Sequence, residues 1–138
     1  MGTRFLVDTC TIINYIDNSY SNEVLQALDE IFDNETIISF ITQIEMLAYN
    51  PSNYDDIMVR ESFVKHSKIE YIDEDIIKDA IYIRREAKIK LPDAIIAATA
   101  KCLNYTLLSS NFKDFNKVTS LGVKYINPEN LTTTNYIQ

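Results

Sequence analysis

Short apolar runs alternate along this chain with longer stretches in which apolar residues return every third or fourth position. Phe5-Leu6-Val7 is uninterrupted and stops at Asp8, which predicts a short strand followed by a helix over Thr9 to Asp17. Val24, Leu25, Leu28, Ile31 and Phe32 recur at helical spacing and predict an amphipathic helix from Ser21 to Phe32. Thr36 to Ile41 is β-branched and aromatic, a second strand, after which Thr42 is placed to cap a helix that carries Glu45 and ends near Asn50-Pro51. A helix over Asp55 to Lys65 and a strand over Ile69 to Ile72 come next. Asp73-Glu74-Asp75 then loads acid onto the first turn of a helix, where the macrodipole favours it. That helix is expected to bury Ile76, Ile77, Ala80, Ile81, Ile83 and Ala87 and to show Arg84, Arg85 and Lys88 elsewhere. Leu91-Pro92-Asp93 opens another helix, so apolar from Ala94 to Ala100 that it must be buried on most sides. Tyr105 to Leu108 and Val123 to Ile126 are the last strands, with a loop or short helix over Asn111 to Phe115 between them.

Strands that alternate with helices predict an α/β fold, a mainly parallel sheet sandwiched between helices, and the 138 residues, free of repeats and Pro/Gly-rich linkers, read as one domain over 1–138. In such folds ligands bind beyond the carboxyl ends of the strands. Asp8 follows the first strand directly. Glu45 lies on the helix after the second, Asp93 opens the buried helix, and Asn111 and Asp114 follow the strand that ends at Leu108.

Each acid has an ordinary explanation, since Asp8 and Asp93 suit helix starts and Glu45 suits a surface. Together they weigh more. Asp8, Glu45 and Asp93 sit in strongly apolar surroundings, where a charge is costly unless something compensates it. Carboxylates brought together repel unless a cation lies between them, and a hard divalent ion, Mg2+ or Mn2+, suits oxygen donors better than zinc does. Such an ion activates water for phosphodiester hydrolysis. Asp8 and Asp93 are then the direct ligands, Asp114 or Asn111 completes or orients the site, and Glu45 holds a second metal or positions the attacking water.

Composition changes this picture in one respect. Asp and Glu number 20 against 13 Lys and Arg, a net charge of −7, which argues against a general nucleic-acid binder unless part of the negative charge is gathered round cations. The two glycines cannot build a dinucleotide fingerprint or a P-loop. Cys10 stands where an aspartyl phosphatase would carry a second Asp, and Val7-Asp8 lacks the acidic pair of a receiver domain. Cys10 and Cys102 form no CxxC pair, and among their apolar neighbours both are expected to be small buried hydrophobes, with His66 as no partner for either. No apolar run approaches the roughly 18–20 residues that cross a bilayer. The start shows no secretory signal, and Leu6 stands where myristoylation wants Ser or Thr, so the expectation is a cytoplasmic protein without a membrane partner.

Four segments, Phe5-Leu6-Val7-Asp8-Thr9, Ile41 to Leu47, Lys90 to Ala100 and Leu107 to Phe115, resemble in order those of the PIN-domain family, and within it the VapC-type toxins of toxin–antitoxin pairs. The resemblance extends over nearly the whole chain, and the Leu-Pro-Asp-Ala-Ile-Ile-Ala-Ala block at 91–98 is its most specific part. It implies a PIN-like three-layer α/β/α sandwich and a metal-dependent endoribonuclease whose carboxylate cluster matches Asp8, Glu45, Asp93 and Asp114. It also implies tRNA or rRNA as substrate, a cognate antitoxin and a homodimer. The fourth acidic place varies in this family between those of Asn111 and Asp114. Ser109 stands where a small hydroxyl residue is common, suited to water or phosphate.

Arg84, Arg85, Lys88 and Lys90 form the densest basic group, immediately before Asp93. They are either a rest for an RNA backbone leading to the metal or the solvated face of an amphipathic helix. The rival to the whole reading is a PIN-like module that binds RNA or protein without cutting. The filling of all four acidic positions speaks against it.

Overall fold

The computed structural model describes residues 2–50 and 53–131. Five three-residue strands, β1 (Phe5–Val7), β2 (Ile37–Ser39), β3 (Lys68–Glu70), β4 (Thr106–Leu108) and β5 (Lys124–Ile126), form one sheet in the order β3-β2-β1-β4-β5. Every pairing is parallel. The α-helices are α1 (Thr9–Ile16), α2 (Asn22–Asn34), α3 (Phe40–Ala48), α4 (Tyr54–Lys65), α5 (Glu74–Glu86), α6 (Leu91–Cys102) and the short α7 (Phe112–Phe115).

β1 and β2 are buried at every position, as apolar runs without alternation require, while the edge strands β3 and β5 are partly exposed. Successive side chains still point to opposite sides. Leu6, Ile37 and Leu107 pack with Ile76, Ala80 and Ile83 of α5, with the buried alanines of α6, and with Phe115. Phe5, Val7, Ile38 and Leu108 pack with Ile12, with Val24, Leu28 and Ile31 of α2, and with Met46 and Val64. These two clusters make the three-layer α/β/α sandwich. The chain runs outward from β1 through β2 to β3 and then returns to the far side of β1 as β4, so the order reverses beside β1, where open parallel sheets hold their ligands.

At the amino-terminal edge, Arg4 donates from Nε and Nη2 to the two carboxylate oxygens of Glu35, at 2.9 and 2.6 Å, and its guanidinium lies 5.0 Å over the Tyr105 ring. The Tyr105 hydroxyl in turn donates to Glu70.

Four expectations need correction. β2 stops at Ser39 rather than Ile41, because the Ser39 hydroxyl accepts from the Ile41 N–H and starts α3 there; Thr42 is buried inside the helix instead of capping it. Third, β3 lies one to two residues earlier than the Ile69–Ile72 run. On α5, Ile76, Ala80 and Ile83 face the sheet, but Ile77 and Ile81 are 44% and 48% exposed. Its apolar stripe is wider than the face the sheet covers. Pro51, where α3 was expected to end, lies outside the described residues.

Candidate active site

Asp8 leaves β1 at the reversal of strand order, and its backbone N–H donates to Leu108 O at 3.0 Å, tying it to the end of β4. It occupies the N-cap position of α1, yet its side chain makes no capping bond. Instead Ser109 Oγ donates to Asp8 Oδ2 at 2.8 Å, and Cys10 Sγ donates to the same oxygen at 3.3 Å. Asp8 is 6% exposed, and burial raises its pKa against the pull of these two donors. Helix capping therefore does not account for it.

Asp93 lies in the first turn of α6 but is not its cap; Lys90 holds that position, without a side-chain bond. Burial first, then the charges of Asp8, Asp114 and Glu45, push the Asp93 carboxyl up to about 6. Lys90 pulls the other way and does not prevail. Glu45, exposed on α3, is turned by Thr9, whose Oγ1 donates to Glu45 Oε1 at 2.7 Å and lies within hydrogen-bond distance of Thr42 Oγ1 at 3.1 Å. Asp8, Glu45, Asp93 and Asn111, with Thr9, Cys10, Ile13 and Asn14, surround a cavity of about 490 Å³.

Asp114 is not among those linings. It opens on a neighbouring groove with Arg84, Lys88, Ile89 and Lys90. Asn111 stands between the two spaces: it caps α7 by accepting from the Asp114 N–H, and its Nδ2 donates to Asp114 Oδ2 at 3.2 Å. That bond, with Lys117 at 3.5 Å, holds the Asp114 carboxyl below its ordinary range. The structure thus brings Asn111 to the cavity and leaves Asp114 as a flanking charge.

Other sequence expectations resolve differently. Ser109 is fully buried, with its hydroxyl engaged by Asp8 and by the Asn111 N–H, so it steadies Asp8 and is closed to phosphate. Neither cysteine is a buried hydrophobe. Cys10 is half-buried at the cavity wall, bonded also to Ser109 and Ser110, and burial pushes its thiol up so that it stays a donor at neutral pH. Cys102 donates to Asp79 Oδ2 at 2.9 Å. The basic group divides. Arg84 Nη1 donates to Ile89 O at 2.7 Å and clamps the α5–α6 turn; Lys88 and Lys90 line the groove of Asp114; Arg85 faces away toward an apolar hollow. Lys117, which sequence reasoning missed, donates to Lys88 O at 3.0 Å beside Asp114. Thr9 was missed as well, although a hydroxyl directly after a strand-end Asp is a visible signal.

The donors round the cavity are carboxylate, carboxamide and hydroxyl oxygens, with one protonated thiol, and its lining holds three carboxylates with no lysine or arginine. That chemistry suits a hard divalent cation. Among the described residues, no three of His, Cys, Asp and Glu stand as close together as coordination of one metal ion requires, so the donors are a loose set rather than a closed cage.

Comparison with known proteins bears on the family and the fold. The PIN domain profile matches residues 5–121. Ribonuclease VapC1 of Methanocaldococcus jannaschii is 32% identical over 127 residues, 88% of this chain and 86% of that protein. A chain of a toxin–antitoxin complex from Klebsiella pneumoniae superposes with a TM-score of 0.70 at 29% identity, over 91% of this chain and 98% of that one. FitAcB from Neisseria gonorrhoeae superposes with a TM-score of 0.72 at 25% identity, over 92% and 99%.

Proposed function

The chain belongs to the PIN-domain family, and from that premise we propose that it is a metal-dependent endoribonuclease, the toxin of a toxin–antitoxin pair acting on tRNA or rRNA. The observation that carries the chemistry is the cavity beside β1, with Asp8, Glu45 and Asp93 in its wall and no lysine or arginine among its lining residues. In this proposal Asp8 and Asp93 hold Mg2+ or Mn2+, Asn111 contributes its carboxamide oxygen or orients a bound water, and Asp114 adds negative charge from outside the cavity. When bound, such an ion supplies Lewis acidity toward the phosphate and an acidified water.

The chain's own groups do the rest. Ser109 and Cys10 hold one oxygen of Asp8 and so fix the carboxylate at the wall of the cavity. Thr9 fixes one oxygen of Glu45, so the second is available to position the attacking water or take its proton. Lys88, Lys90 and Lys117 flank the groove that adjoins the cavity and suit the phosphates of an RNA backbone. Partners in this reading are the RNA, a cognate antitoxin and a second copy of the chain.

The test is RNA cleavage with the metal varied. Activity is expected with Mg2+ or Mn2+, lost in excess chelator, and not restored by Ca2+, whose longer bonds and looser geometry suit the site poorly. Undiminished cleavage in chelator overturns the metal mechanism.

A further inference from the structure

Beside the cavity lies a polar network that neither a cation nor the phosphates require. Asn14 stands one turn beyond Cys10 on α1 and lines the cavity with it. Its Nδ2 donates to the Tyr20 hydroxyl and to Ser110 Oγ, each at 3.3 Å. The Tyr20 hydroxyl donates to Ser110 Oγ at 3.1 Å, and Ser110 Oγ donates to Cys10 Sγ at 3.4 Å. Cys10 Sγ passes the direction on to Asp8 Oδ2 at 3.3 Å. A carboxylate only accepts, so the donors run one way, toward Asp8. The O–H groups of Tyr20 and Ser110 are thereby spent, and their oxygens are left as acceptors for Asn14. They select the nitrogen end of its carboxamide. Among the described residues no protein donor meets the other end, Oδ1.

The remaining polar groups of the lining are committed. Thr9 donates to Glu45, Cys10 donates to Asp8, and the Asn111 carboxamide is engaged with Asp114. Asn14 Oδ1 is the neutral acceptor that the cavity keeps for its ligand. The ligand's chemistry says what it meets. When a metal-activated water attacks a phosphodiester, the new bond joins water oxygen to phosphorus and the old bond to the leaving oxygen breaks. The ribose 2′-hydroxyl takes no part, so a preference for RNA over DNA has to come from separate recognition of that hydroxyl. We propose that Asn14 Oδ1 accepts from the 2′-hydroxyl of the nucleotide held at the cavity, and that Asn14 is the residue by which this chain selects RNA over DNA. Tyr20 and Ser110 are its positioning residues: they keep the amide from turning to offer nitrogen instead. The inference rests on the ribonuclease reading, and its test separates the two.

The experiment measures binding of the full chain to short single strands of randomised sequence by fluorescence anisotropy, in Ca2+ so that cleavage does not consume the probe. The strands are made as RNA and as 2′-fluoro RNA, which keeps the RNA sugar pucker but donates no hydrogen bond. Wild type is expected to prefer RNA by about fivefold, the worth of one neutral hydrogen bond. Asn14→Ala should lose that preference by weakening on RNA alone, with its helix content unchanged by circular dichroism. Tyr20→Phe removes one holder of the amide, leaves Asn14 in place, and should cut the preference by about half; it decides the matter if Asn14→Ala does not fold. Equal binding of the two strands by wild type overturns the inference, and so does a preference that survives these changes. RNA cleavage by wild type in Mg2+ would still stand in that case. A 2′-hydroxyl preference that depends on Asn14, without cleavage in Mg2+ or Mn2+, would overturn the nuclease reading and leave Asn14 its role. Failure of wild type to bind either strand overturns both.

Discussion

Two carboxylates at opposite ends of the same sheet have been treated differently. At the amino-terminal edge Glu35 receives two bonds from Arg4, and the guanidinium holds its carboxyl below the ordinary range. At the carboxyl edge Asp93 faces Asp8, Glu45 and Asp114 and is pushed up to about 6. One acid has its counter-charge written into the chain. The other has only Lys90 set against three carboxylates, an imbalance that a bound cation, as proposed above, would relieve.

The largest expected effect breaks this contrast directly. Asp93→Asn should lower RNA cleavage by at least about a hundredfold, beyond the range for residues that only support a ligand. It should also raise the melting temperature of the metal-free protein. Glu35→Gln should do the reverse, sparing cleavage and lowering stability. The signs follow from proton binding. Between 3.8 and about 6 the folded chain keeps on Asp93 a proton that the unfolded chain has lost, so metal-free stability falls as pH rises through that window. For Glu35 the depressed value means that stability is present above the unfolded pKa and is lost as pH falls. Thermal denaturation in chelator across this range checks both, and the Asp93→Asn gain should be widest above about 6. An unfolded Asp93→Asn protein would return that residue to the role of helix-terminus stabiliser.

A smaller effect sharpens the contrast at Asp8. Ser109→Ala removes the 2.8 Å donor and should cost about tenfold in cleavage or metal affinity, with the fold retained. Equal activity would mean that Cys10 and the Thr9 N–H hold the carboxylate without it. The smallest concerns the flanking cations. Lys88→Ala with Lys90→Ala should weaken RNA binding a few-fold at low salt and reduce the salt slope by about one to two, whereas Arg85→Ala should leave the slope unchanged. A slope that responds to Arg85 and not to the lysines would move the RNA path across α5.

The sheet and the places of Asp8 and Asp93 beside it were legible because each signal was local. An apolar triplet that stops at Asp8 displays both strand and strand-end in one glance, and Leu91-Pro92-Asp93 announces a helix start. What escaped depends on residues far apart in sequence. Ser109 reaches Asp8 across 101 positions, and Thr9 reaches Glu45 across 36, so no spacing rule connects them. Asn111 and Asp114 both follow β4, and only the fold of α7 decides which of them turns toward the cavity. Periodicity showed that α5 has an apolar stripe but not how wide a stripe the sheet would cover, which left Ile77 and Ile81 on the wrong side of the expectation. Ser39 and Thr42 are both competent caps, and the earlier one acts because it already stands where the strand turns.

The order of the strands also governs when the site comes into being. β1 is the first strand made, yet its neighbour β4 is the fourth, and Asp8 takes both its backbone anchor and its hydroxyl donor from residues one hundred positions later. During synthesis the chain therefore carries Asp8 for about a hundred positions without the strand that draws it into place. Long-range parallel pairing is slow to form and comes late. A polypeptide emerging from the ribosome stays without its assembled cavity until β4 and Asn111 have been added, so a chain cut short before them would be harmless to the RNA around it.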